Sequence, residues 1–177
     1  MGGSTTSCTG APRAIRIEQV CDGMTTVVDR RSGSRRLGTA WVALSLSLAA
    51  HVIDEAMTGF LDVYNPIVQS LRARLGWFPM PVFTFEVWLG GLCVLVIALL
   101  ALSPFAFRGS RFVRVAAYPY AALMLLNGIG HLAGSVYLGR WAPGATTAPL
   151  LIATSVWMLT SATGATLIVN AEKEVST

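Results

Sequence analysis

The chain has 177 residues, 54% of them hydrophobic and only 12% charged, with a formal net charge of +4. Apolar content this high with so little charge excludes an ordinary soluble core and points to an integral membrane protein of one compact domain. The three cysteines, Cys8, Cys21 and Cys93, are odd in number and far apart, which excludes a disulfide framework or a zinc ribbon.

Residues 1–37 are rich in glycine, serine and threonine and lack an apolar core near the start. They are therefore expected to form a largely disordered tail, with a short ordered patch at "RAIRIEQV", and not a secretory signal peptide. A transmembrane bundle is expected over 38–170 and a short second tail over 171–177. Within the bundle, four apolar stretches at 38–60, 82–103, 113–137 and 149–169 each reach roughly 20 residues. That length crosses about 30 Å of hydrocarbon at about 1.5 Å per residue. The fold class is thus all-α, a polytopic four-helix transmembrane bundle in the cell membrane.

Basic residues set the orientation. Arg13, Arg16, Arg30, Arg31, Arg35 and Arg36 precede the first span, Arg108, Arg111 and Arg114 lie between the second and third, and Lys173 follows the fourth. The positive-inside rule then puts both termini in the cytoplasm and the 61–81 and 138–148 loops outside. Contact with anionic membrane lipids is a secondary effect of the same charge. Arg72 and Arg74 decorate an exposed outer turn. No aromatic-studded basic surface or reader motif points to nucleic acid.

The first span contains "HVIDEA", which places His51, Asp54 and Glu55 at i, i+3 and i+4 on one helical face. In the second span the acid is Glu86, within "VFTFEVWLGG". The third carries Asn127 and His131, again at i and i+4, in "LLNGIGHLAGS". On the expected topology Glu55 lies about 9 Å, Glu86 roughly 6 Å and His131 around 9 Å below the outer boundary. Three helices thus bring ionisable groups to one layer, the outer half of the bilayer. Each acid at a helix centre costs about 2.5–3.5 kcal/mol on insertion scales, so the set is expected to face inward, pair and bind.

Glycines make room for that packing. Gly130 and Gly134 form a small-xxx-small step beside His131, with Gly128 nearby, and Gly90 and Gly91 serve similarly in the second span. In the outer loop, Pro143-Gly144 favours a type II turn, Thr146 or Thr147 can cap the next helix, and Trp141 suits the interface.

"HVIDEA", "NGIGH" and "YLGRWAPGATTAPLL" together resemble the HXXEE-domain family, named for its first-helix motif, over roughly residues 48 to 165. Asp54 stands where the family name has its first Glu, which keeps a carboxylate but shortens its reach. The resemblance implies a multi-pass membrane protein with a site in the bundle. Some relatives accompany genes for modified-peptide natural products, so it also implies a leader peptidase or maturation enzyme.

Three readings follow from the polar set. In the first, a metal-dependent hydrolase acts on a peptide or lipid-linked substrate. His51 and His131, with a carboxylate from Glu55 or Glu86, hold a divalent metal, zinc rather than iron; Glu55 is the ligand adopted. Asp54 or Glu86 is then the general base, and Asn127 orients substrate or the oxyanion. In the second, Glu86 and Asp54 perform metal-free acid–base chemistry on a lipid, an isomerisation or cyclisation. In the third, the chain is a non-enzymatic binding, immunity or assembly subunit, pairing with a partner membrane protein or with itself, and the charges are an internal brace. The carboxylates are too few for a di-metal site of the ferritin-like kind. No G-x-S-x-G elbow or phosphate loop is present.

Overall fold

The computed structural model of the chain describes the backbone of residues 12–175 and the side chains of 31–164. Six helices follow one another: α1 (Pro12–Thr58), α2 (Phe60–Leu75), α3 (Phe85–Ala101), α4 (Ser103–Phe107), α5 (Arg111–Leu138) and α6 (Ala148–Val175). Among the described residues there is no strand. The all-helical class expected from the sequence is thus what the chain forms.

Three helical stretches are long and apolar enough to cross a membrane: Arg31–Thr58, Phe85–Phe107 and Arg111–Leu138. The fourth expected span corresponds to α6, whose described apolar part, Ala148–Gly164, is shorter. The tail expected over 1–37 divides in two. Residues 1–11 lie outside the described residues, whereas the backbone from Pro12 is helical and runs unbroken into the first span. Proline suits a first helical position, where its missing N–H removes a donor with no partner anyway, and arginine is a good helix former. At the other end the backbone stays helical through Val175.

α1 is the central helix. Of its apolar stretch, 56% is buried, against 17% for each of the other two. Leu37, Ala40, Trp41, Leu44, Leu48 and Val52 form the buried stripe, at the spacing of one helical face. α3 and α5 instead turn large apolar side chains outward, Val94, Ile97, Leu123 and Leu126 among them, as helices solvated by lipid do.

One buried bond fixes α3 against α1. Helix ends leave four carbonyls without intrahelical partners, and Leu99 lies in the last turn of α3. Trp41 Nε1 donates to the Leu99 carbonyl at 2.7 Å, so an indole from α1 completes the end of α3. Tyr120 of α5 packs on the same indole, ring centroids 5.3 Å apart.

The outer loop expected over 61–81 is instead largely the helix α2. α1 ends because Gly59 adopts φ +75°, a left-handed conformation open to glycine at little cost. Pro66 sits exposed inside α2. α2 presents Leu61, Tyr64, Asn65, Val68 and Leu71 to the protein, a stripe at i, i+3, i+4, i+7 and i+10. That face grips the chain that follows. Asn65 Nδ2 donates to the Phe83 carbonyl at 3.0 Å while Phe83 N donates to Asn65 Oδ1 at 3.1 Å. Tyr64 donates to the Pro81 carbonyl, and the Arg72 guanidinium to that of Met80. Burial pushes the Tyr64 phenol above its ordinary pKa, against the pull of Arg72, so it remains a donor.

The glycine expectations are redistributed. A Cβ at Gly90, Gly91, Gly130 or Gly134 would meet nothing within 4 Å, so these do not admit a neighbouring helix. Gly128 does: a Cβ there would lie 2.8 Å from Ile152 Cγ1 and 3.1 Å from the Ala148 carbonyl oxygen, which makes it the close-approach point between α5 and α6.

Replacing Trp41 by Phe keeps the ring but orphans the buried Leu99 carbonyl. Thermal unfolding in detergent is expected to show a loss of about 1–3 kcal/mol, whereas Phe112→Leu, on an exposed residue, is expected to cost much less.

Candidate metal centre

The site is built from the end of α1, the second half of α5 and the loop that joins α5 to α6. Successive residues on a helix point about 100° apart, so the adjacent acids Asp54 and Glu55 cannot serve one point. Glu55 turns into the bundle and is 5% exposed, and His51, one turn earlier on the same face, is fully buried. Asp54, half-buried, turns toward the 139–147 loop.

α5 supplies the opposing imidazole. His131 Nε2 lies 2.9 Å from Glu55 Oε1, and His51 Nε2 lies 3.6 Å from the same oxygen. The two imidazoles meet edge to face with centroids 4.7 Å apart, and Phe60 closes on His131 at 5.7 Å. One ligand atom from each of His51, Glu55 and His131 falls within 4.8 Å of the others. In a tetrahedral zinc site, with bonds of roughly 2.0–2.1 Å, neighbouring ligand atoms are about 3.3 Å apart. The two contacts to Glu55 bracket that value.

The outer ring nitrogens are engaged elsewhere, which fixes the tautomers. His131 Nδ1 donates to the Pro143 carbonyl at 2.5 Å. His51 Nδ1 lies 2.8 Å from Thr147 Oγ1, which in turn lies 3.0 Å from Asp54 Oδ2. A carboxylate can only accept, so Thr147 gives its proton to Asp54 and accepts from His51. The carbonyl of Gly144, at 3.4 Å, is the more distant acceptor. Both histidines therefore hold N–H at Nδ1 and turn the Nε2 lone pair inward. This arrangement is typical of metal-ligating histidines, whose second nitrogen is oriented by a carbonyl or carboxylate.

A consequence follows for the 2.9 Å contact. With the proton of a neutral His131 on Nδ1, Nε2 and Glu55 Oε1 are two acceptors face to face, and a metal ion or a second proton between them makes that arrangement favourable. Two imidazoles and one carboxylate are also the His2Glu set of catalytic zinc sites, which keep a fourth position open. Glu55 also lines a cleft of about 340 Å³ between α2 and the start of α3, from which a ligand would approach an ion held by this set.

The remaining sequence candidates are placed as follows. Asn127 joins the cluster, with Nδ2 donating to His51 Nε2 at 3.2 Å, a bond that a metal ion on that single lone pair would replace. Asp54 lies behind His51, where it also accepts from Thr147 N at 3.0 Å and so holds a negative charge at the positive end of α6. Glu86 is exposed in the first turn of α3 and lies outside the cluster. The hydroxyls considered as caps for α6 are used otherwise. Thr146 accepts from Trp141 Nε1 at 3.0 Å, and Thr147 serves the Asp54 relay. Sequence reasoning missed the roles of Thr147 and the Pro143 carbonyl. Their signal was the "PGATT" turn itself, which also carries Gly144.

Gly144 sits at φ +77°, and a Cβ on it would lie 2.9 Å from two atoms of the His131 ring and 3.0 Å from Glu55 Cγ. Ser135 ties the loop to α5, accepting from Ala142 N at 3.0 Å. Gly144→Ala is therefore expected to cost more than the about 1–3 kcal/mol of backbone strain alone. Gly139→Ala, at φ +60° with open space around the new Cβ, supplies the strain-only control. Equal losses of unfolding free energy in the two variants would refute the packing role.

No curated protein and no solved structure matches the chain. The family described as proteins of unknown function with an HXXEE motif matches residues 41–158, a span that begins at Trp41 and contains His51, Glu55, Asn127, His131 and Thr147. The three polar residues of "HVIDEA" stand at the motif's positions, and by this match over most of its length the chain belongs to the HXXEE family.

Proposed function

We propose that the protein is a multi-pass membrane enzyme, with α6 as its fourth crossing and both termini cytoplasmic, that hydrolyses a peptide or lipid-linked substrate in the outer half of the bilayer. The observation that carries this reading is the inward-facing His51–Glu55–His131 triad, whose acceptors converge where a cation is needed. A maturation step on a modified peptide is the reaction class that the family resemblance favours.

His51 Nε2, His131 Nε2 and Glu55 would hold a divalent ion such as zinc. When bound, the ion supplies Lewis acidity and a water activated near neutral pH. The protein's own residues divide the rest. Thr147 and Asp54 keep the His51 ring in one tautomer and orientation, and the Pro143 carbonyl does the same for His131. Glu55, at the inner end of the cleft, is placed to take a proton on its free oxygen. The Asn127 amide borders the ligand atoms and is placed to steady the oxygen that becomes negative. The base role assigned earlier to Asp54 or Glu86 therefore passes to Glu55 in this proposal. Asp54 is committed to Thr147, and Glu86 lies outside the cluster.

A proton shared by His131 and Glu55 would also satisfy the 2.9 Å contact, and this observation favours the metal-free acid–base or brace readings. Elemental analysis of detergent-purified full-length protein separates them. Near-stoichiometric zinc or another divalent metal is expected in the parent and lost in His51→Ala and His131→Ala variants that retain their helicity. A folded parent never exposed to chelator and free of metal would sink the metallo-hydrolase proposal.

The relay behind His51 has its own test. Thr147→Val preserves side-chain volume but removes the hydroxyl, and a loss of about 10–100-fold in metal affinity is expected, measured by competition with a chromogenic chelator. Glu86→Gln is expected to leave that affinity unchanged; an equal loss there would contradict the placement of Glu86.

A further inference from the structure

The cleft that ends at Glu55 has walls whose chemistry the hydrolytic reading does not use. Four aromatic residues line it, Phe60, Phe83, Phe85 and Trp88. Their rings are mutually braced: Phe60 and Trp88 stack with centroids 5.7 Å apart, and Phe85 meets Trp88 at 6.1 Å. The charged residues in the lining are both acids, Glu55 at the inner end and Asp62 in the first turn of α2, and the lining contains no lysine, arginine or histidine. Asp62 makes no ion pair among the described residues.

The neighbouring polar groups are already engaged. Asn65 uses both ends of its amide on the Phe83 backbone, and Arg72 spends its guanidinium on the Met80 carbonyl. These bonds hold the far wall in place, so the cleft is preformed and its unspent functionality is the Asp62 carboxylate among aromatic faces, Glu55 being engaged by His131 at the inner end. An ammonium ion is the group that both features attract. The Asp62 carboxylate attracts it by charge, and the aromatic faces by the ring quadrupole when it lies within about 6 Å of a centroid.

We propose that this cleft binds the primary ammonium group of a peptide, a lysine side chain or a free N-terminus, and presents the adjoining chain to the metal centre at Glu55. A zwitterionic lipid headgroup fits less well, because its phosphate would adjoin the ammonium and face Asp62. The inference depends on the proposed hydrolase only for calling the occupant a substrate; recognition of the amine is a property of the cleft alone.

The test uses the full-length protein in detergent and two fluorescent peptides, N-acetylated and C-amidated. They are identical and apolar except for one central lysine in the first and norleucine in the second. Fluorescence anisotropy is expected to show the lysine peptide binding about tenfold more tightly. Asp62→Asn, a change at an exposed position, is expected to abolish most of that preference while the norleucine peptide binds as before. Equal affinity of the two peptides in the parent, or an unchanged preference in Asp62→Asn, overturns the proposal. So does displacement of the lysine peptide by soluble phosphocholine at equal concentration, which assigns the cleft to lipid headgroups.

The same titration after chelator treatment separates this inference from the hydrolase. A lysine preference in protein that never held metal leaves the amine site standing without the metallo-enzyme. Bound metal with no lysine preference leaves the metallo-enzyme standing without the amine site.

Discussion

A carboxylate taken out of water must meet positive charge or several donors, or its desolvation cost of several kcal/mol goes unanswered. Glu55 is that carboxylate here, and the rest of the bundle is arranged around it. It draws His131 of α5 to 2.9 Å and shares its pocket with His51. Those two rings then need acceptors for their outer N–H groups. The loop between α5 and α6 supplies one as the Pro143 carbonyl and the other as Thr147, itself backed by Asp54. The loop can approach so closely because Gly144 has no side chain to collide with His131. One buried acid thus dictates the register of three helices and the shape of a turn.

The motif's two adjacent acids gain distinct purposes from helix geometry. About 100° separates their side chains, so one faces the bundle and the other faces the α5–α6 loop. Asp54 caps the N-terminus of α6 through Thr147 N and orients His51 through the Thr147 hydroxyl. Its shorter reach, compared with the glutamate in the family name, suits a partner held directly against α1. Position, more than acidity, separates the two roles.

How much of this was legible in the sequence depended on whether spacing carried the signal. "HVIDEA" and "NGIGH" each put polar groups at i and i+4 in an apolar stretch, and those spacings gave the triad and Asn127. Glu86 shows the limit of that reasoning. Depth along a helix is readable from residue number, but the second span is apolar on every side, so nothing in it told which face meets the protein. The glycines repeat the lesson: Gly130 and Gly134 have the spacing of a packing motif and face open space, while Gly128 makes the contact. α2 was missed because 61–81 carries no long apolar run of the kind that marks a span, although the stripe from Leu61 to Leu71 is helical in period. The Thr147 relay depends on a bond across 93 residues, which no local pattern records.

That separation has a consequence for the order in which the protein is made. The first helix emerges with His51, Asp54 and Glu55 in place, whereas Asn127, His131 and Thr147 arrive only with the last hairpin. Until then the polar end of α1 has only the contact of His51 with Glu55, and a lone helix carrying two acids enters an apolar environment only against resistance. Completion of the cluster is therefore held back until the α5–α6 hairpin has been made. When the α5–α6 turn arrives, it fixes the end of α1 and completes the His51–Glu55–His131 pocket in one step. Assembly and acquisition of the site become a single event, so a chain truncated before that turn lacks both.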